Sequence, residues 1–312
     1  MNDLPEQVRL WGAVWSFALG ASVGSFLNVV IARMPAGESV VRPGSRCPRC
    51  KAPIAWYDNL PILSWLLLRA RCRRCGAPIA WRYPLVELLG GLAALAAFAR
   101  HGFSAAAAAE LAFAAVLVAL AFIDLDTWLL PHALTWPLLA GGLLLSAAGF
   151  APAGALLPSA LGAAIGWGAF ALVSFAGEKV WKREALGFGD VWLLGAIGAW
   201  LGAWALLPVV LLASLQGSAV GLTLILLGRS EPGPGEAPPG GGAEASGDER
   251  SPLPEASGDD VPGEAPAAAP DDDWVPPRHA VPFGPFLALG ALEWLWLQGC
   301  LSGLVPALRL LR

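Results

Sequence analysis

The sequence predicts an all-α polytopic membrane protein, with about eight transmembrane helices and one small cytoplasmic domain. Three observations lead there. Of 312 residues, 56% are hydrophobic and only 14% charged, whereas a soluble domain is nearer half apolar and a quarter charged. Apolar segments of roughly 20 residues, each enough to span a bilayer core, recur along the whole chain. Between the first two of them lies a strongly basic stretch that carries four of the five cysteines.

The expected spans are 10–31, 84–99, 105–123, 134–150, 155–176, 191–206, 207–228 and 283–304. The second is short, and the boundary between the sixth and seventh is soft. The first does not read as a cleavable signal peptide. It lacks a basic leading region, is too long for an h-region, and ends at Arg33 rather than at a small-residue cleavage site. The chain thus divides into a first transmembrane helix (1–31), a cytoplasmic domain (32–83), a transmembrane core (84–228), a linker (229–280), and a last helix with the C-terminus (281–312).

Charge sets the orientation. Arg33, Arg42, Arg46, Arg49, Lys51, Arg69, Arg71, Arg73, Arg74 and Arg82 face only Glu38 and Asp58 in the first loop. Cytoplasmic loops carry such an excess, so this loop is expected inside and the N-terminus outside. Alternating the spans puts 124–133, 177–190 and 229–282 on the cytoplasmic side as well. Lys179, Lys182 and Arg183 agree; Arg309 and Arg312 do not.

The net charge of −4 hides this pattern. Residues 231–273 hold 12 of the 24 acidic side chains and one of the 20 basic ones, leaving 19 basic against 12 acidic, a net +7, elsewhere. That stretch, "EPGPGEAPPGGGAEASGDERSPLPEASGDD", is rich in Pro, Gly and Ala with almost nothing to bury. It cannot offset the entropy of ordering and is expected to be disordered.

The basic loop contains a repeat. Residues 47–56 read "CPRCKAPIAW" and residues 72–81 read "CRRCGAPIAW". Two C-x-x-C turns about twenty residues apart have the spacing of a structural zinc site. Cys47, Cys50, Cys72 and Cys75 would complete a tetrahedral shell with no position left open for catalysis. Two disulfides would use the same residues, but the cytoplasm keeps thiols reduced.

Acidic residues stand at the cytoplasmic membrane edge in two places. "LAFIDLDTWLLPHALTWP" (119–136) carries Asp124 and Asp126 at the end of the third span, and "REALGFGDVWLLGAIGAWLG" (183–202) carries Asp190 just before the sixth. Taken alone, Asp190 after Gly189 reads as a helix N-cap, and Asp124 or Asp126 as a water boundary. Together they lie on one face, at the ends of helices that can pack side by side. Two carboxylates brought close cannot both ionise cheaply, so one holds a proton. The ionised one can take a proton from water while the other polarises a carbonyl. Gly187 and Gly189 would let a substrate backbone come near. Other catalytic designs fit poorly: His101, His132 and His279 are scattered without H-E-x-x-H spacing, and no G-x-S-x-G elbow or P-loop occurs.

At this point the chain resembles the type IV prepilin peptidases, the bifunctional prepilin leader peptidase/N-methyltransferases. The motifs that carry the resemblance run nearly end to end: "GSFLNVVIARMP" (24–35), the paired cysteine motifs with "WYDNLPILSWLLLRARC" between them, "RYPLVELLGG" (82–91), "FIDLDTWLLP" (122–131), "GFGDVWLLGAIGAWLG" (187–202) and "VPFGPFLALGA" (281–291). Only the acidic linker lies outside it. His132 stands where relatives often carry an acidic residue, and Trp192 replaces a common lysine.

The resemblance implies an intramembrane aspartic protease of the G-x-G-D type in the bacterial inner membrane, with zinc domain and active site cytoplasmic. Its substrates would be prepilins or type II secretion pseudopilins, cut after the glycine that ends a basic leader. The new N-terminal residue would then be methylated from S-adenosylmethionine, whose binding residues no fingerprint in the sequence reveals. The family pattern places the catalytic pair at Asp124 and Asp190, with Asp126, Gly187 and Gly189 in support. Membrane lipid is an expected partner and nucleic acid is not. Two readings of other classes stand beside it. One is a non-catalytic scaffold of a secretion or pilus machine; the other is a transporter with membrane-edge carboxylates as proton relays.

Overall fold

The computed structural model describes residues 5–181, 187–227 and 281–304. Within them the chain forms α1 (Glu6–Arg33), the short α2 (Leu63–Leu67), α3 (Arg82–His101), α4 (Ala105–Thr127), α5 (His132–Ala147), α6 (Leu156–Trp181), α7 (Phe188–Leu201), α8 (Ala203–Leu226) and α9 (Gly284–Leu304). No strand occurs among the described residues. Five helices, α1, α3, α4, α6 and α8, are long and apolar enough to cross a membrane, and α5 and α7 are shorter apolar helices. The fold is all-α and multi-pass, and among the described residues α1 and α3–α9 each overlap one of the eight expected spans. Two units make up the chain: Met1–Ala219 with Val281–Arg312, and Val220–Ala280. Of the second, only the end of α8 lies within the described residues, so the expected acidic linker falls outside them.

The soft boundary between the sixth and seventh spans does not fall after residue 206. It falls at Gly202, whose φ of +81° is open to glycine and ends α7. The Ala199 carbonyl near this end is claimed by the Ser146 and Ser159 hydroxyls, at 3.3 and 2.6 Å. Helix ends need such partners.

Packing follows the rule for lipid rather than for water. α1 turns Gly12, Ser16, Gly20, Gly24 and Asn28 inward and leaves Trp11, Trp15, Leu19 and Phe26 exposed. In a bilayer, large apolar side chains gain nothing by leaving lipid, whereas small residues let backbones touch. A methyl at Gly20 would sit 2.2 Å from the Gly90 carbonyl oxygen of α3. The α6–α7 pair repeats the device: a methyl at Gly162 would lie 2.1 Å from the Gly198 oxygen. Either alanine would force the helices apart.

The centre is made by α4, α7 and α9, which supply Phe113, Leu117, Leu120, Ile123, Leu193, Leu194, Ile197, Leu287 and Leu295, all fully buried. α4 runs opposite to the other two, so its C-terminal end meets the N-terminal ends of α7 and α9. At the far end, buried Glu110 of α4 accepts from Arg100 (3.1 Å) and the Trp296 indole (2.8 Å), and pairs with His101 (2.8 Å). That cluster locks α3, α4 and α9 together where the chain would otherwise leave a carboxylate unpaired.

Candidate functional site

Asp124 lies in the last turn of α4, which Trp128 closes in the left-handed conformation by donating its N–H to the Asp124 carbonyl at 2.9 Å. Asp190 is the third residue of α7. Gly187 holds the cap position without a side-chain bond, so Asp190 is not an N-cap. Both carboxylates are buried, at 5% and 9% exposure, and both face the start of α9. The Gly284 backbone lies directly beside Asp124. A methyl built on Gly284 would lie 2.5 Å from Asp124 Oδ2 and 3.4 Å from Asp190 Oδ1. Oxygens at those distances from one point are within about 6 Å of each other, the reach of a single water bonded to both. Asp190 Oδ1 is buried and has no hydrogen-bond partner among the described residues. A buried acceptor left without a donor costs about 1–3 kcal/mol, and a catalytic role is among the reasons native proteins keep one.

The supporting residues divide. Gly187 is open: a methyl there would make only ordinary contact, 3.8 Å from Asp190 Oδ2. Gly189 is not, because a methyl there would meet Leu130 Cβ at 2.8 Å. Its lack of a side chain admits the α4–α5 connection beside Asp190. Asp126 turns away from the pair. Both of its oxygens accept from Arg82 Nη1 at 2.7 Å, which ties α4 to the start of α3. His132 and Trp192, the two departures from the family pattern, meet edge to face at 6.2 Å between ring centres. Phe188, Trp136 and Trp167 complete an aromatic cluster around Trp192.

The cysteine domain is built twice from the same local fold. Each first cysteine donates its N–H to the alanine five residues on, Cys47 to Ala52 at 2.9 Å and Cys72 to Ala77 at 2.8 Å. The residue after each second cysteine is left-handed and donates back, Lys51 (φ +56°) to the Cys47 carbonyl and Gly76 (φ +67°) to that of Cys72. Glycine fits that position better than lysine, since only glycine adopts it without strain. The turn aims backbone amides at sulfur. Those of Cys50 and Arg49 pull the Cys47 thiol down to about 6, and those of Cys75 and Arg74 lower Cys72 in the same way. All four sulfurs lie within 4.8 Å of one another. Cys47 and Cys75 are 3.8 Å apart, close to the edge of about 3.8 Å that a tetrahedron with Zn–S bonds of 2.3 Å requires. The cluster can hold zinc, and the donor set fits it.

Two contributors were not singled out in the sequence, Gly284 and Arg82. Both lie inside the quoted family motifs. For Gly284 the usable signal was "PFGP", a glycine with Pro285 in the first turn of a helix. For Arg82 there was none, because it was counted only as a loop charge.

The comparisons with known proteins agree with this geometry. Residues 18–101 match the bacterial Peptidase A24 N-terminal domain, and residues 111–222 match the type IV leader peptidase family. A prepilin leader peptidase/N-methyltransferase of Myxococcus xanthus (strain DK1622) is 45% identical over 334 aligned positions, covering 98% of this chain and 96% of the relative. Proteins of the same description from Aeromonas salmonicida (strain A449) and Dickeya chrysanthemi are each 42% identical, over 68% and 69% of the chain and 80% and 84% of their own lengths. No solved structure is a significant match. With both domains matched in order and a relative similar along nearly its whole length, the chain belongs to the type IV leader peptidase family.

Proposed function

We propose that this protein cleaves the basic leader from type IV prepilins or type II secretion pseudopilins and methylates the N-terminus so exposed. The observation that carries the first activity is the convergence of two buried carboxylates, Asp124 and Asp190, on the backbone at Gly284. In the reaction the ionised aspartate takes a proton from a water lying between the pair. The protonated one donates to the scissile carbonyl oxygen as the hydroxyl attacks the carbon. Collapse of the tetrahedral species breaks the C–N bond, and the amine leaves with the proton first taken from water.

The remaining assignments follow from that reading. The sulfurs of Cys47, Cys50, Cys72 and Cys75 hold a structural zinc that folds residues 32–83. Basic residues of the first loop place that domain and the aspartates on the cytoplasmic face of the inner membrane, with the N-terminus outside. S-adenosylmethionine supplies the methyl group, and residues 229–280 serve as a linker. Purified protein incubated with a prepilin and followed by mass spectrometry tests both activities in one spectrum. Loss of the leader and gain of one methyl group are expected; an unprocessed pilin would overturn the reading.

A further inference from the structure

The cysteine domain carries an apolar face that turns away from its own interior. Leu63, Leu66 and Leu67 of α2 stand at i, i+3 and i+4, which puts them on one face of the turn. All three are exposed, Leu67 at 79%. Ser64 and Trp65 face the domain instead: Ser64 is buried and its hydroxyl bonds to the Leu60 carbonyl, and the Trp65 indole donates to the Ile79 carbonyl at 3.1 Å. A helix packed on a domain in water shows the reverse, with its apolar stripe inward. The sequence repeat adds to the patch, because each copy ends in an exposed tryptophan, Trp56 and Trp81. We infer that this face docks on the anionic surface of the bilayer that the chain spans, with the leucines in the boundary between headgroups and acyl chains.

Depth argues for lipid as the occupant. α3 carries Arg82 at one end and Arg100 near the other, about 27 Å apart at 1.5 Å per residue. That is close to the roughly 30 Å hydrocarbon core, so the bilayer boundary lies near Arg82. Glu87 stands about 7.5 Å farther along α3, and its side chain leans back toward the helix start. There it accepts from the Ile62 N–H at 2.7 Å. Residue 62 therefore sits at the depth of the first turns of α3, and α2 begins with the next residue. Trp81, directly before Arg82, takes the place of an interfacial tryptophan.

Charge argues for an anionic surface. Arg46, Arg49, Lys51, Arg69, Arg71 and Arg74 are all exposed, and none is in an ion pair with a carboxylate among the described residues. Of the two acidic residues in 32–83, Asp58 is held by Arg73 at 2.6 Å. An apolar face flanked by free cations is the pattern of a segment lying in the membrane interface, and each cation near the surface adds attraction to anionic headgroups.

The presentation is built in. Ile62 takes φ +63°, a conformation rare for a β-branched residue, and the bond from Glu87 fixes it to α3. The leucines are thus turned outward by a membrane-spanning helix, at the level where lipid begins.

The test is photo-cross-linking of the full-length, zinc-loaded protein, one copy per nanodisc, in equal parts phosphatidylcholine and phosphatidylglycerol. The probe is p-benzoylphenylalanine placed at Leu63 or at Leu67, which gives two independent readings. Leu19 of α1 serves as the lipid-facing control and Glu38 as the water-facing one. Lipid adducts at Leu63 and Leu67 are expected at yields near that of Leu19 and at least tenfold above Glu38, with zinc at one ion per chain. Phosphatidylglycerol should be over-represented in the adducts, and Arg69→Gln with Arg71→Gln and Arg74→Gln should remove that excess. Yields at the level of Glu38 would overturn the docking. So would adducts to protein in place of lipid when several copies share a vesicle, since the face would then serve a second copy. Adducts without a phosphatidylglycerol excess, or an excess that survives the three glutamines, would overturn the anionic specificity.

Discussion

One nitrogen of Arg82 donates to both carboxylate oxygens of Asp126 at 2.7 Å, fastening the start of α3 to the end of α4 two residues beyond Asp124. Both side chains are about a third exposed, so the pair contributes about 0.2–1 kcal/mol. Asp126→Asn should therefore keep leader cleavage within a few fold of the parent protein. A rate assay on a prepilin checks this, and a complete loss would mean that Asp126 belongs to the reacting pair.

Gly284→Ala tests the packing at the aspartates. Its methyl would lie 2.5 Å from Asp124 Oδ2, closer than van der Waals contact allows, so one carboxylate must move. A displacement of about 1 Å can cost roughly a hundredfold in rate. Cleavage should fall at least tenfold with zinc content unchanged. An unimpaired Gly284→Ala would show that the aspartates do not converge there during turnover.

The sulfur cluster predicts one zinc per chain. Because ligation is coupled to folding, Cys47→Ser with Cys72→Ser should strip the metal and make residues 32–83 sensitive to proteolysis. Metal analysis with limited digestion checks it. Undiminished zinc in the double variant would refute the ligand set.

Glu110 predicts a stability effect apart from chemistry. Glu110→Ala leaves Arg100, His101 and the Trp296 indole without their shared partner. Removing one member of a buried ionic cluster costs 3–5 kcal/mol, and because Arg100 and His101 are about a third exposed, the lower end, about 3 kcal/mol, is expected. Thermal unfolding in detergent should drop by several degrees; an unchanged midpoint would show that the cluster is not a fastening.

Most of the architecture was legible because lipid imposes it. Each long helix must bury its own backbone polar groups, so hydropathy alone finds it. The error at Gly202 arose because hydropathy runs unbroken through a turn made by backbone conformation. The cysteine pairs were legible because two C-x-x-C turns about twenty residues apart have the spacing that a four-thiolate site requires. The convergence of Asp124 and Asp190 was expected from topology, but the third contributor was not. Gly284 acts through the absence of a side chain, which leaves no mark in composition. The contact of Gly189 with Leu130 was equally illegible, since a glycine does not announce which neighbour needs its space.

The central claim is that Asp124 and Asp190 act as one unit on a shared water. Asparagine keeps the size of aspartate but cannot exchange the proton. The measurement is the single-turnover cleavage rate of a prepilin by Asp124→Asn, Asp190→Asn and the double variant, each with its zinc intact. Each single variant should lose cleavage by several orders of magnitude, and the double should be scarcely worse than either. Cleavage at near parental rates by both single variants would contradict the account.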